Sequence, residues 1–188
     1  MENWKKFFWQ DADVQQILQI IKHLHLKDSW LCAGSVRNFI WNVLSDKPGF
    51  DRETDVDVIF YDPAISYEET CQLENELRRA FPQYCWELKN QVYMHVHNPN
   101  TLPYTDSRDA MSKYPETCTA IGLRLDENNG LELFAPYGLQ VIEAFRVEPT
   151  PHFLADKERR QVYNARLKKK NWIEKWPNLK IQEIVMKD

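Results

Sequence analysis

Asp55 and Asp57 stand two residues apart in Asp55-Val56-Asp57-Val58-Ile59-Phe60-Tyr61, a run that alternates and then turns apolar. Such a run reads as a β-strand, and residues i and i+2 of a strand face the same way. Two carboxylates on one face repel each other, and acids are disfavoured in strands. A bound cation would remove that conflict. Mg²⁺ (or Mn²⁺) suits the pair, because hard divalent ions take carboxylate oxygens together with substrate phosphates. The plain alternative is a solvent-facing pair at the start of the strand. Upstream, Trp30-Leu31-Cys32-Ala33 reads as a short buried strand, Gly34-Ser35 breaks it, and Val36, Ile40, Val43 and Leu44 return at helical spacing. A glycine between strand and helix lets the backbone turn sharply and come close to a ligand. The helix start that follows offers N–H groups and a positive dipole end to a phosphate. Ser35 adds a hydroxyl donor, and Arg37 a charge-assisted contact.

The rest of the chain has to position these groups. Val14, Ile17, Leu18, Ile21 and Leu24 predict an amphipathic helix over 12–25. Ser66 to Glu69 forms a capping-box pattern, and Leu73, Leu77, Ala80 and Phe81 then line one helix face up to Pro82. Tyr84 to Lys89 reads as a third strand and Gln91 to His97 as a fourth, in which His95 and His97 share a face. That histidine pair reads as structural, since no third ligand type lies near it. A short helix is expected at 106–113, and a hairpin from Thr117–Leu125 and Leu131–Phe134 around Asn128-Asn129-Gly130. A further helix is expected at 138–146. Pro149 and Pro151 mark a boundary, and 153–175 reads as a basic helix or helix pair. The expectation is an α+β fold: a domain over 1–150 with a mixed sheet flanked by helices, plus a C-terminal helical extension over 151–188 packed on it.

Composition narrows the classes. A 43% hydrophobic share with 7 Trp excludes a disordered or low-complexity chain. No apolar run approaches the roughly 18–20 residues needed to cross a bilayer, and Met1 to Gln10 has no signal-peptide pattern, so the expected location is cytoplasmic. Four dispersed cysteines with no CxxC pair exclude a local zinc knuckle. Residues 156–180 carry a net charge of +6 and residues 1–155 a net of −9. The basic segment reads as a solvated helix face or as a nucleic-acid contact. Trp4, Trp9, Trp172 and Trp176 are expected to pack the two chain ends together. Among only 5 glycines, Gly34 reads as functional, Gly49 as loop, Gly130 as hairpin turn and Gly138 as a helix start; Gly122 sits in a strand for a reason the sequence does not supply.

Leu31-Cys32-Ala33-Gly34-Ser35-Val36-Arg37-Asn38, followed by Thr54-Asp55-Val56-Asp57-Val58, resembles the signature of the DNA polymerase β nucleotidyltransferase superfamily. The Gly-x-Val-Arg-Asn form is most similar to the head of CCA-adding enzymes and bacterial poly(A) polymerases. Trp86 to Gln91, Tyr114 to Thr117 and Ala135 to Gly138 extend the likeness to a small bacterial nucleotidyltransferase-like family, as far as about residue 180. Between Arg37 and Asp55 lie 17 residues, more than in the tRNA-nucleotidyl enzymes. A chain of this length is also expected to lack their downstream helical domains. The expectation is therefore nucleotidyl transfer rather than CCA addition.

The resemblance implies a polymerase β-type core and a two-metal displacement. Asp55, Asp57 and a third carboxylate on a neighbouring strand would hold Mg²⁺ or Mn²⁺ and act in catalysis. Glu87 is the choice for the third, with Glu132 as runner-up. Gly34, Ser35 and Arg37 would hold the donor NTP, and Lys89, Asn90 and Gln91 could contact its base or ribose. Asp109 and Glu116 are further acids that could enter the cleft. The acceptor hydroxyl, on a small molecule, protein or RNA, is not identified. The competing readings are a catalytically silent nucleotide-binding or regulatory module, and an RNA-interacting protein using Arg159, Arg160, Arg166, Lys168, Lys169 and Lys170.

Overall fold

Five strands carry the fold. The structure, a computed structural model, describes residues 2–186. In chain order the strands are β1 (Trp30–Cys32), β2 (Asp55–Phe60), β3 (Cys85–Asn90), β4 (Gly122–Leu125) and β5 (Leu131–Phe134), arranged β3-β2-β1-β4-β5. β2 and β3 run parallel and the other pairs antiparallel. The sheet is mixed, as expected.

Alternation sorts the central strands into two faces. Val56, Val58 and Phe60 of β2 are buried with Trp86 and Leu88 of β3. The opposite face carries Asp55 and Asp57, with Glu87 and Lys89 beside them. Helix α1 (Glu2–Gln10) buries Trp4 and Phe8, and α2 (Ala12–His23) buries Val14, Ile17, Leu18 and Ile21 at the expected spacing. Asp11 caps α2 by accepting from the Val14 N–H at 3.0 Å. Helix α3 (Gly34–Leu44) follows β1 directly. Helix α4 (Tyr67–Ala80) starts at the predicted capping box, with both Ser66–Glu69 hydrogen bonds formed.

Several expectations need correction. Gln91–His97 is a 3₁₀ helix rather than a fourth strand. The Asn90 side chain accepts from the Val92 N–H and turns the chain off the sheet there. Residues 117–121 precede β4 instead of extending it, since Thr119 and its neighbours enter a buried polar cluster described below. The short helix α5 spans Ser107–Ser112, and only Gln140–Glu143 of 138–146 is helical, as α6. The 153–175 helix is divided into α7 (Pro151–Leu154), α8 (Lys157–Lys169) and α9 (Trp172–Lys175). A small parallel pair, β6 (Arg146–Val147) with β7 (Lys180–Ile181), was not anticipated. It ties the end of the chain to the rest.

The tryptophans do not form one cluster between the chain ends. Trp172 and Trp176 close on Trp41 of α3, with ring centroids 6.2 and 5.1 Å away. Trp4 donates to Glu143 at 2.6 Å, and Trp9 is exposed. Two glycines have packing reasons. A Cβ on Gly49 would fall 2.3 Å from Phe39 Cε2, so this residue is a close approach to the core rather than free loop. A Cβ on Gly122 would meet Met111 Sδ at 2.7 Å and Trp30 Cε3 at 3.1 Å, which supplies the neighbour that the sequence could not.

Candidate active site

β2 and β3 pair in register, with Asp57 opposite Glu87 and Asp55 opposite Cys85. Paired residues of neighbouring strands point to the same side, so Asp55, Asp57 and Glu87 share one sheet face. All three line a cleft of about 630 Å³, together with Ala33, Gly34 and Arg37. Lys89 lines it as well, with its ammonium 3.3 Å from Glu74.

Ser35 is the joint between the turn and the strand. Its hydroxyl donates to the Asp55 carbonyl at 2.8 Å and accepts from the Asp57 N–H at 2.7 Å. The side chain is buried and does not line the cleft. It sets the height of the two aspartates instead of offering a donor to a ligand. The sharp backbone turn falls one residue earlier than expected. Ala33, not Gly34, has the positive φ, with φ 53° and ψ −125°. That region is strained for any residue with a Cβ. Gly34 opens α3, and its backbone N–H draws the Asp57 carboxyl down. A Cβ there would stand 3.4 Å from Asp57 Oδ2.

Arg37 is buried against aromatic faces, 4.8 Å from the Trp41 ring and 4.5 Å from the Trp172 ring. It donates to Asn38 Oδ1 from Nε and Nη2, and to Thr119 Oγ1 from Nη1 at 2.7 Å. Thr119 in turn donates to Glu116 Oε2 at 2.7 Å, while Glu116 Oε1 accepts from Arg166 Nε at 2.6 Å. Glu116 is fully buried. It supports the wall of the cleft from behind.

The other candidates lie elsewhere or do other work. Asn90 is buried, and its amide is consumed by the Asp62–Ile65 loop: Nδ2 donates to the Asp62 and Ile65 carbonyls at 2.8 and 3.0 Å, and Oδ1 accepts from the Asp62 N–H. Glu132 is held by Arg124 and Arg108 and does not line the cleft, so Glu87 is the acid that joins Asp55 and Asp57. Asp109 pairs with Lys113 at 2.8 Å outside the cleft. His97 reaches the lining, and His95 does not. Sequence reasoning missed the C-terminal contribution: Arg166, Lys170, Asn171, Trp172, Lys175 and Trp176 all line the cleft. The available signal was the Trp-rich end of a basic segment, which is not what a freely solvated helix needs.

Electrostatics single out Asp57. Burial, then the charges of Glu87 and Asp55, push its carboxyl up to about 7, against the pull of Arg37 and the Gly34 N–H. Asp57 also adds to the burial that pushes up the Cys32 thiol. Among the described residues, no three His, Cys, Asp or Glu side chains are already drawn together around an ion position. The donor set nevertheless fits a hard divalent cation. Its atoms are all carboxylate oxygens, and the charge excess on Asp57 is what such an ion would relieve.

An in-register acidic face beside a strand-to-helix turn, on this five-stranded mixed sheet, is the architecture of a nucleotidyltransferase head domain. A solved structure described as revealing a CCA-adding enzyme head domain superposes with a TM-score of 0.93, at 61% identity over 98% of this chain and 96% of that one. A family described as nucleotidyltransferase matches residues 19–181. The chain belongs to that nucleotidyltransferase family. A tRNA nucleotidyltransferase solved with a primer tRNA and an incoming ATP analogue aligns with a TM-score of 0.52, at 16% identity over 88% of this chain and 46% of that one. A tRNA-processing enzyme complex aligns at 0.51 and 16%, over 88% and 43%. These two share the fold, and this chain spans less than half of their length. The search of curated proteins found no match. No described helix is long and apolar enough to cross a membrane.

Proposed function

We propose that this chain transfers a nucleoside monophosphate from a nucleoside triphosphate to a hydroxyl acceptor, releasing pyrophosphate. The observation that supports it most is the register of β2 and β3, which sets Glu87 beside Asp57 and Asp55 on the cleft face next to the start of α3. Asp55, Asp57 and Glu87 would hold Mg²⁺ or Mn²⁺, which supplies charge neutralisation at the phosphates and acidifies the acceptor hydroxyl when bound.

The chain's own residues do the positioning. Ser35 fixes the spacing between the turn and β2, so the aspartates stand at a set distance from the Gly34 backbone. Arg37, buried and held by Asn38 and Thr119, presents positive charge to the phosphates at no cost in reorganisation. The acceptor oxygen forms a bond to the α-phosphorus, the bond from that phosphorus to the bridging oxygen of the β-phosphate breaks, and pyrophosphate leaves. The hydroxyl proton passes to a carboxylate of the site, and Asp57 or Glu87 is placed to take it. Catalysis of this kind rests on alignment and charge rather than on a covalent enzyme intermediate.

The test is incubation with α-labelled and, separately, γ-labelled NTPs, with Mn²⁺ or Mg²⁺ and a cell extract as acceptor source. Transfer of the α label alone supports the proposal. Transfer of the γ label instead would make the protein a kinase.

A further inference from the structure

The cleft lining carries cations as well as acids. Arg166 and Lys170 lie four residues apart on α8 and its C-terminal cap, so they project to one side, and both line the cleft. Arg37 is there too. Burial chiefly, and the Arg166 charge in addition, pull the Arg37 guanidinium below its ordinary range. Like charges in this spacing repel, and the one fully buried acid among them is Glu116.

The other cleft cations are already engaged. Lys89 faces Glu74 and Lys175 faces Asp51. Arg166 gives its Nε to Glu116, and Arg37 lies against the Trp41 and Trp172 rings. Among the described residues the Lys170 ammonium makes no hydrogen bond or salt bridge. The segment that carries these groups is not free to drift. Trp176 Nε1 donates to Asn42 Oδ1 at 3.0 Å, Lys47 donates to the Lys175 carbonyl at 2.6 Å, and Tyr163 donates to the Gln182 carbonyl at 2.6 Å.

A cleft whose lining holds three carboxylates together with Arg166 and the free Lys170 ammonium suits a polyanion that meets divalent ions at one end and side-chain cations at the other. We propose that Arg166 and Lys170 bind the β- and γ-phosphates of the donor triphosphate while its α-phosphate lies at Asp55, Asp57 and Glu87. The inference rests on the nucleotidyl-transfer reading above and extends it to the C-terminal segment. Trp172 is a positioning residue here, holding Arg37 through its ring face. The basic residues 166 and 170 then serve the donor inside the cleft rather than an RNA outside it.

The experiment is a binding titration of the full chain with Mg²⁺ and an NTP analogue that cannot be cleaved between the α- and β-phosphates, and separately with the matching nucleoside monophosphate. Tryptophan fluorescence reads both. Lys170→Glu, an exposed position that leaves the core untouched, should weaken the triphosphate analogue about tenfold or more and leave the monophosphate within about twofold, the scale of a charge-assisted phosphate contact. Lys170→Ala should fall between, and Arg166→Lys, which keeps the charge on Glu116, should weaken only the triphosphate. Unchanged triphosphate binding by Lys170→Glu, or an equal loss for the monophosphate, overturns the inference while leaving the transfer reading standing. A wild-type protein that binds neither nucleotide overturns both.

Discussion

Asp57→Asn should stabilise the metal-free protein while abolishing its proposed chemistry. In the folded chain the Asp57 carboxyl is pushed up to about 7 from an ordinary 3.8, first by burial and then by Glu87 and Asp55. The native state therefore keeps a proton that the unfolded chain has released between about pH 4 and pH 7. Stability falls as pH rises through that window, and the penalty is complete above it. Three units at about 1.4 kcal/mol each set a ceiling near 4 kcal/mol. Asp57 keeps some solvent exposure, and water screening reduces the realised penalty to about 1–2 kcal/mol. An asparagine removes the charge at nearly the same size and shape. In EDTA at pH 8 the variant should melt roughly 2–8 °C above wild type, at 2–4 °C per kcal/mol for a chain of this size. At pH 4.5 the gain should shrink to about a quarter, because wild-type Asp57 is then protonated when folded. The assay is a thermal melt followed by tryptophan fluorescence at both pH values. A variant less stable than wild type at pH 8, or a gain of equal size at pH 4.5, would refute the repulsion argument.

Three further outcomes test the scaffold. Ala33→Gly relieves the positive φ at the turn and should raise stability by about 1 kcal/mol in urea denaturation, the strain released less the added freedom of the unfolded chain; a loss of stability would mean that the turn is not strained. Gly49→Ala drives a methyl into Phe39 and should cost about 1–3 kcal/mol by the same measurement, so a neutral result contradicts the close approach. Asn90→Ala should lower the melting temperature while leaving NTP affinity of the folded protein unchanged, because its amide serves the Asp62–Ile65 loop. A selective loss of nucleotide binding would return Asn90 to the donor site.

The centre of the candidate site was legible because its signals are local. A two-residue period puts Asp55 with Asp57, and a glycine after an apolar strand marks the turn. Glu87 followed from the resemblance, which implies a third carboxylate on a neighbouring strand, and the register sets it beside Asp57. What was not legible depends on long-range packing. Ser35 and Asn90 are polar residues at plausible ligand positions, yet their partners are backbone groups 20 or more residues away. The cationic part of the lining arises because Trp172 and Trp176 dock on Trp41, more than 130 residues earlier in the chain. The helix α1 escaped because a short amphipathic run at a chain end carries no cap or turn signal of its own. Gly122 and Gly49 are explained by the side chains of Met111 and Phe39, which no local pattern points to.

Nucleotidyl transfer in this cleft requires the metal and the α-phosphate to meet at the three carboxylates. Crystals grown with Mn²⁺ and a non-cleavable NTP analogue would show this by anomalous scattering. Manganese is expected on the carboxylates of Asp55, Asp57 and Glu87, with the α-phosphate on the same ions and the triphosphate tail towards Arg166 and Lys170. Manganese or nucleotide bound away from these three carboxylates would contradict nucleotidyl transfer in this cleft.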